Sequence, residues 1–227
     1  MTELDPRIVR GTTRMLAARR DEADRGAETL GWKAGFGAPA AFALLGTDRP
    51  LVGFLTTDGL LPDDASVDVS SWTKPVLEAE VAAHLGADLG PGATPDQALD
   101  AVAGWSVAIE LADVDNPPAD VETIIAGNIF HRHVVLGQVV GARSDPLSFV
   151  VRREDVEAAA TSEPEALTGE LGFVLASMAD TLAACGAGLL AGEVVITGSV
   201  IPPIAVGQGE EWQVTAAGLG RVGVNLL

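Results

Sequence analysis

The sequence contains no tyrosine, and its aromatic residues are six Phe and four Trp in 227. A phenolic acid or base is therefore excluded, and any proton chemistry falls to carboxylates, histidines or lysines. There is one cysteine, Cys185, which excludes an intramolecular disulfide framework and a thiolate zinc site. Basic residues are scarce: 14 Lys and Arg stand against 32 Asp and Glu, a formal net charge of −18. Such a charge repels phosphate backbones and anionic bilayers, so no nucleic acid and no membrane is expected as a partner. No apolar run is long enough to span a bilayer. The longest, residues 171–190, is broken by Asp180 and three glycines. Residues 1–28 are charged throughout and have no apolar stretch of the kind a leader needs, so no targeting segment is expected, and a cytoplasmic location is.

Apolar residues make up 48 % of the chain, enough for one good-sized core, and 26 Gly with 13 Pro imply many turns. Residues 4–28 read as a charged helix with a thin apolar stripe through Ile8, Met15 and Leu16. Residues 31–35, bracketed by glycines, read as a short strand with close backbone contacts, and 51–55 as another. A turn and strand are expected over 63–69. Pro75 disfavours helix before it, and the alternation over 76–81 predicts a strand. Thr94, Pro95 and Gln97 form a capping-box helix start that turns Ala98, Leu99 and Val102 inward. Strands are expected at 105–111, 133–140, 193–198 and 221–227, with a short helix at 120–126. Leu171, Leu175, Met178, Leu182 and Cys185 recur at helical spacing, and Gly186 ends that helix. The expected class is α+β, with short strands around two or three helices.

Glu78-Ala79-Glu80 falls on one expected strand, so both glutamates share a face while Leu77, Ala79 and Val81 point into a core. The pair fits either a solvated strand face or a hard divalent cation that offsets the mutual repulsion of the carboxylates. Glu110 lies in an otherwise uncharged segment, 105–112, where an ionised carboxylate is costly unless paired or bound to metal. Three carboxylates suit Mg²⁺ or Mn²⁺ with open positions left for substrate. Lys33 could anchor a substrate carboxylate or move a proton, or lie on the surface. His131 and His133 could be ligands but read as polar surface. His84 has no evident partner, and Cys185 reads as core rather than nucleophile. Ser199 lacks a G-x-S-x-G context. There is no G-x-G-x-x-G followed by an acidic residue, no phosphate loop and no H-E-x-x-H.

The motifs GWKAGFG (31–37), LLGTDRPLVGFL (44–55), KPVLEAEVAAHLGADL (74–89), AIELAD (108–113), GNIFHRHVVLG (127–137), LTGE (167–170), MADTLAACGAGLLAGEVVITGS (178–199) and GLGRVGVNLL (218–227) occur in this order. With them the chain resembles the fumarylacetoacetate hydrolase superfamily, in its 2-oxopent-4-enoate hydratase and 4-oxalocrotonate decarboxylase branch. The resemblance implies a helical segment over 1–30 and a mixed β-roll catalytic core over 31–227. It further implies Mg²⁺ or Mn²⁺ on Glu78, Glu80 and Glu110, and a small 2-oxo acid substrate. Lys33 and Glu110 become the catalytic candidates, and Lys33, Asn128, Thr197 and Gly198 the substrate-binding ones. A homo-oligomer is expected, as is lyase chemistry of the hydratase type, with decarboxylation or non-catalytic 2-oxo acid binding as alternatives. The chain departs from the family pattern at Gly127, where an Asp is usual, at Gly172 and Phe173, and at the added His131-Arg132-His133.

Overall fold

The computed structural model describes residues 4–115, 120–143 and 147–227. In chain order the elements are α1 (Pro6–Asp24), β1 (Thr29–Gly35), α2 (Pro39–Leu45), β2 (Leu51–Thr56), β3 (Leu60–Leu61), β4 (Ala65–Val67), β5 (Pro75–Leu85), α3 (Pro95–Asp100), β6 (Val102–Asp113), α4 (Val121–Ala126), β7 (His131–Leu136), β8 (Phe149–Arg153), β9 (Val156–Thr161), α5 (Glu165–Thr168), α6 (Leu171–Ala184), β10 (Val194–Ser199), β11 (Ile204–Ala205), β12 (Glu211–Ala216) and β13 (Gly220–Leu226).

The strands form two mixed sheets. The larger runs β2-β1-β10-β5-β6-β7-β3, with β11 also on β5; the smaller runs β4-β13-β12-β8-β9. Parallel pairs (β1 with β10, β3 with β7, β4 with β13) interrupt otherwise antiparallel ladders. Buried residues from both sheets, from α1 (Ile8, Met15, Leu16) and from α6 (Leu171, Val174, Leu175, Met178, Leu182) belong to one apolar cluster. This is the expected α+β class and mixed, curled-sheet architecture with an N-terminal helix.

Several elements form for the reasons expected. The Thr94 hydroxyl accepts from the Gln97 N–H and the Gln97 side chain accepts from the Thr94 N–H, so the capping box of α3 is complete. Leu77, Ala79 and Val81 are fully buried on one face of β5. Two expectations need correction. The strand placed over 133–140 runs instead from His131 to Leu136. It ends at Gly137, where a Cβ would lie 2.8 Å from the Val107 side chain, so the chain passes too close to β6 for a side chain. Helix α2 and strands β8, β9 and β12 were not anticipated. Helix α2 buries no residue and so carries no amphipathic signal.

Candidate metal centre and its cavity

The site starts from the β5–β6 ladder. Its register sets Glu78 directly opposite Glu110 and Glu80 opposite Ala108, so the three glutamates share one face. One carboxylate oxygen from each lies within 4.8 Å of the others. Like charges directly across a ladder destabilise it, so this pairing needs a compensating cation.

Part of that charge comes from Lys33 on β1. Three strand spacings separate β1 from β6, about 14 Å in a flat sheet, yet the buried Lys33 Nζ donates to Glu110 Oε1. Only a strongly curled sheet allows the contact. Lys33 Nζ also donates to the Ile129 carbonyl at 3.2 Å. A β-bulge on β10, where the register against β5 shifts between Ile196 and Ser199, supplies the next piece. There Gly198 sits at φ +100° and its N–H donates to Glu80 Oε2 at 2.8 Å. The adjacent Thr197 is buried, and its hydroxyl donates to the Val81 carbonyl at 3.0 Å.

His131, expected as polar surface, is instead buried against the site: its Nδ1 lies 2.8 Å from Glu110 Oε1. The sequence holds no local signal for this, because the turn that delivers it is irregular. Asn128, Ile129 and Phe130 all have left-handed backbone, at φ +53°, +49° and +64°. Asn128 clamps that turn to β2, accepting from the Phe54 N–H at 2.7 Å and donating to the Phe54 carbonyl at 3.0 Å. Its amide thus faces β2, beside a small recess shared with His131 and Arg132. His133 stacks on Trp72, with centroids 6.0 Å apart. His84 bonds Ser106 Oγ at 2.9 Å. Cys185 is half-buried at the end of α6 against the core.

Electrostatics separate the three glutamates. Burial, then the Glu110 charge, pushes Glu78 up to about 7 against the partial relief of Lys33. Burial, then Glu110 and Glu78, raises Glu80 well above the usual carboxylate range. Burial acts in the same sense on Glu110, but the Lys33 ammonium and the His131 hydrogen bond outweigh it and hold Glu110 low. Glu80 Oε1 and Glu110 Oε2 are buried without a hydrogen-bond partner. Two orphaned hard oxygens beside a third carboxylate are what a small divalent cation requires, so the residues present fit one.

The triad borders a cavity of about 540 Å³, a size suited to a small organic ligand. Phe36, Val76, Ile129, Phe130, Leu167 and Ile201 make its apolar walls, while Lys33, Glu78, Gly198 and Ser199 face it at the site and Lys74 stands at an exposed position of the lining. A roomier recess of about 700 Å³ lies beside Arg143, Glu163 and Glu165, but among the described residues the only cluster of three or more potential metal ligands is the glutamate triad.

Known proteins resemble this chain in sequence and fold over most of its length. The chain is 30 % identical over 210 residues to 4-oxalocrotonate decarboxylase of Pseudomonas putida, covering 90 % of this chain and 80 % of that protein. It is 30 % identical over 204 residues to 2-keto-4-pentenoate hydratase 1 of Dechloromonas aromatica (strain RCB), covering 87 % of this chain and 77 % of that one. The solved 4-oxalocrotonate decarboxylase from Pseudomonas putida G7, complexed with magnesium and adipate, superposes with a TM-score of 0.87 at 25 % identity, covering 94 % of this chain and 83 % of its own. The family model described as Fumarylacetoacetate (FAA) hydrolase C-terminal matches residues 38–226, and the chain belongs to the fumarylacetoacetate hydrolase family.

Proposed function

We propose that the protein is a divalent-metal-dependent lyase acting on small 2-oxo and 2-enol acids, of the 2-hydroxypenta-2,4-dienoate hydratase type. One observation carries the reading: a carboxylate triad, whose buried Glu80 and Glu110 each keep a partnerless oxygen, meets a cavity with apolar walls through Glu78 and beside Lys33. Glu78, Glu80 and Glu110 would hold Mg²⁺ or Mn²⁺. The bound ion would act as a Lewis acid toward the oxygens of a chelating 2-oxo acid.

The chain's own residues do the rest. Lys33 Nζ, held by Glu110 and the Ile129 carbonyl, faces the cavity with a proton to give and a charge to meet the substrate carboxylate. The dienol must lose its C2 hydroxyl proton and gain one at C5 to become a 2-oxo-3-enoate. Water then adds at C4 and a proton arrives at C3. Lys33, which lines the cavity, is the group positioned to deliver those protons, and Glu110, which accepts from it, would act through it. Gly198 and Ser199 meet the substrate through the cavity wall. Asn128 and Thr197, whose polar atoms are spent on Phe54 and Val81, shape the wall from behind. The apolar walls limit bulk water and strengthen each polar contact inside.

Lys74 favours a second reading. It lines the same cavity and makes no salt bridge among the described residues, so it could pair with a second carboxylate on a longer substrate, as in decarboxylation of a 2-oxo dicarboxylic acid. Parallel assays with Mg²⁺ or Mn²⁺ decide: loss of dienol absorbance from 2-hydroxypenta-2,4-dienoate against carbon dioxide release from 4-oxalocrotonate. Faster dienol loss is the expected result, faster carbon dioxide release installs the decarboxylase, and turnover of neither leaves a non-catalytic 2-oxo acid binder. We also infer a homo-oligomer in the cytoplasm, supported by the exposed Leu44, Phe173 and Leu190. No helix among the described residues is long and apolar enough to cross a membrane. A monomeric mass in sedimentation would remove the oligomer.

A further inference from the structure

We infer that His131 is a positioning residue that fixes Glu110 as a single-oxygen metal ligand and thereby tunes the site toward small octahedral cations. The inference rests on the metal-dependent reading above and assigns a role to a residue outside the carboxylate triad.

Two donors converge on one oxygen of Glu110. Lys33 Nζ and His131 Nδ1 both meet Oε1, while Oε2 is buried with no partner. Glu80 shows the same division, its Oε2 taken by the Gly198 N–H and its Oε1 free. Glu110 and Glu80 therefore each offer one oxygen and have the other tied down. Two such ligands, joined by one oxygen from Glu78, would leave about half of an octahedron open for water and substrate, as Mg²⁺ and Mn²⁺ prefer. Ca²⁺ favours six to eight oxygens and accepts bidentate carboxylates.

Lys33 alone does not secure this arrangement. Its ammonium faces the cavity, and a substrate carboxylate would compete with Glu110 for it. His131 approaches Glu110 from outside the lining of that cavity, so it keeps Oε1 engaged when Lys33 turns to substrate. Two further observations point the same way. The buried His131 Nε2 has no partner, so the ring's polar contact is the one to Glu110. The backbone delivering it is also costly. Three successive non-glycine residues, one of them the β-branched Ile129, hold left-handed φ, a conformation that persists only where its surroundings enforce it. The Asn128 clamp on Phe54 provides that enforcement.

The test is calorimetric titration of the metal-stripped full chain with Mg²⁺ and with Ca²⁺, each with and without oxalate, alongside a thermal melt. His131→Leu is expected to weaken Mg²⁺ binding about tenfold or more and to weaken Ca²⁺ binding less, narrowing the preference between them. His131→Asn places an amide nitrogen near the Nδ1 position and is expected to restore Mg²⁺ affinity to within about threefold of the parent. His131→Gln, whose amide reaches toward the Nε2 position, is not. The comparison of Asn with Gln stands even if His131→Leu does not fold. A parent that binds neither metal overturns the metal-dependent reading itself. A parent that binds Mg²⁺ while His131→Leu, or both amide variants, bind it equally well with unchanged ion preference leaves that reading intact and overturns the role of His131.

Discussion

Replacing Glu78 by Gln should stabilise the metal-free protein while removing its metal affinity, and the size of the gain should depend on pH. The substitution keeps the shape of the side chain and removes its charge. The Glu78 carboxyl is pushed up from 4.5 to about 7 by burial and by the facing Glu110, against Lys33. Because the folded value lies above the unfolded one, the folded state holds this proton more tightly. Stability is then highest at low pH and drains away as pH rises from about 4.5 through about 7. At about 1.36 kcal/mol per pH unit, ionised Glu78 costs the folded parent about 3 kcal/mol above that window. Glu78 is only partly buried beside the cavity, and water there lowers the figure to about 2 kcal/mol. For a chain of this length each kcal/mol moves Tm by about 2–4 °C, so Glu78→Gln should melt about 4–8 °C above the parent near pH 8.5. Near pH 5 the gap should shrink to within about 2 °C, because little of the cost has yet appeared. The assay is a thermal melt in chelator at both pH values, repeated in excess Mg²⁺. There the order should reverse, because a ligand at one hundred times its Kd adds about 2.7 kcal/mol to the parent alone. A variant that melts below the parent at high pH in chelator, or by the same margin at both pH values, would refute the electrostatic account of the triad.

Lys33→Met should lower kcat by about a hundredfold or more and leave Glu110 buried without its strongest partner, visible as weaker substrate binding above neutral pH in steady-state kinetics. Gly53→Ala should be costly although Gly53 supplies no ligand: a Cβ there would lie 2.7 Å from Asn128 Oδ1 and 2.9 Å from Lys33 Cγ. We expect about 1–3 kcal/mol of destabilisation by chemical denaturation, together with reduced turnover. Thr94→Ala should cost about 1 kcal/mol through the lost capping box and leave metal affinity unchanged by calorimetry, since α3 lies outside the site. Parent-like affinity with a lower midpoint is the expected pair of results.

The site was legible in the sequence where it depends on local pattern. Alternation along β5 put Glu78 and Glu80 on one face, and the uncharged surroundings of Glu110 marked it as buried. What sequence spacing could not show was the company Glu110 keeps. Lys33 lies 77 residues away and reaches Glu110 only through the curl of the sheet. In the sequence His131 reads as surface, because alternating histidines beside an arginine look solvated. Its burial follows from a left-handed turn over 128–130 built without glycine, in which Asn128 has some local propensity for that backbone and Ile129 and Phe130 have little. The fold shows the same division. The capping box and the apolar face of α6 announced their helices, whereas α2 buries nothing and β9 is largely exposed, so neither carries the periodicity that a core imposes.

The direct opposition of Glu78 and Glu110 also bears on how the chain reaches its native state. Strands β5 and β6 pair antiparallel and are joined across α3, so they can close before more distant strands dock. Lys33 arrives from another part of the chain, with a longer loop to close. An early β5–β6 pair would therefore gather negative charge before its internal counter-charge docks, and alkaline pH should slow that closure while acid or Mg²⁺ speeds it. Refolding rates followed by stopped-flow Trp fluorescence across this pH range would show whether the carboxylates that equip the site also act as a kinetic brake on its assembly.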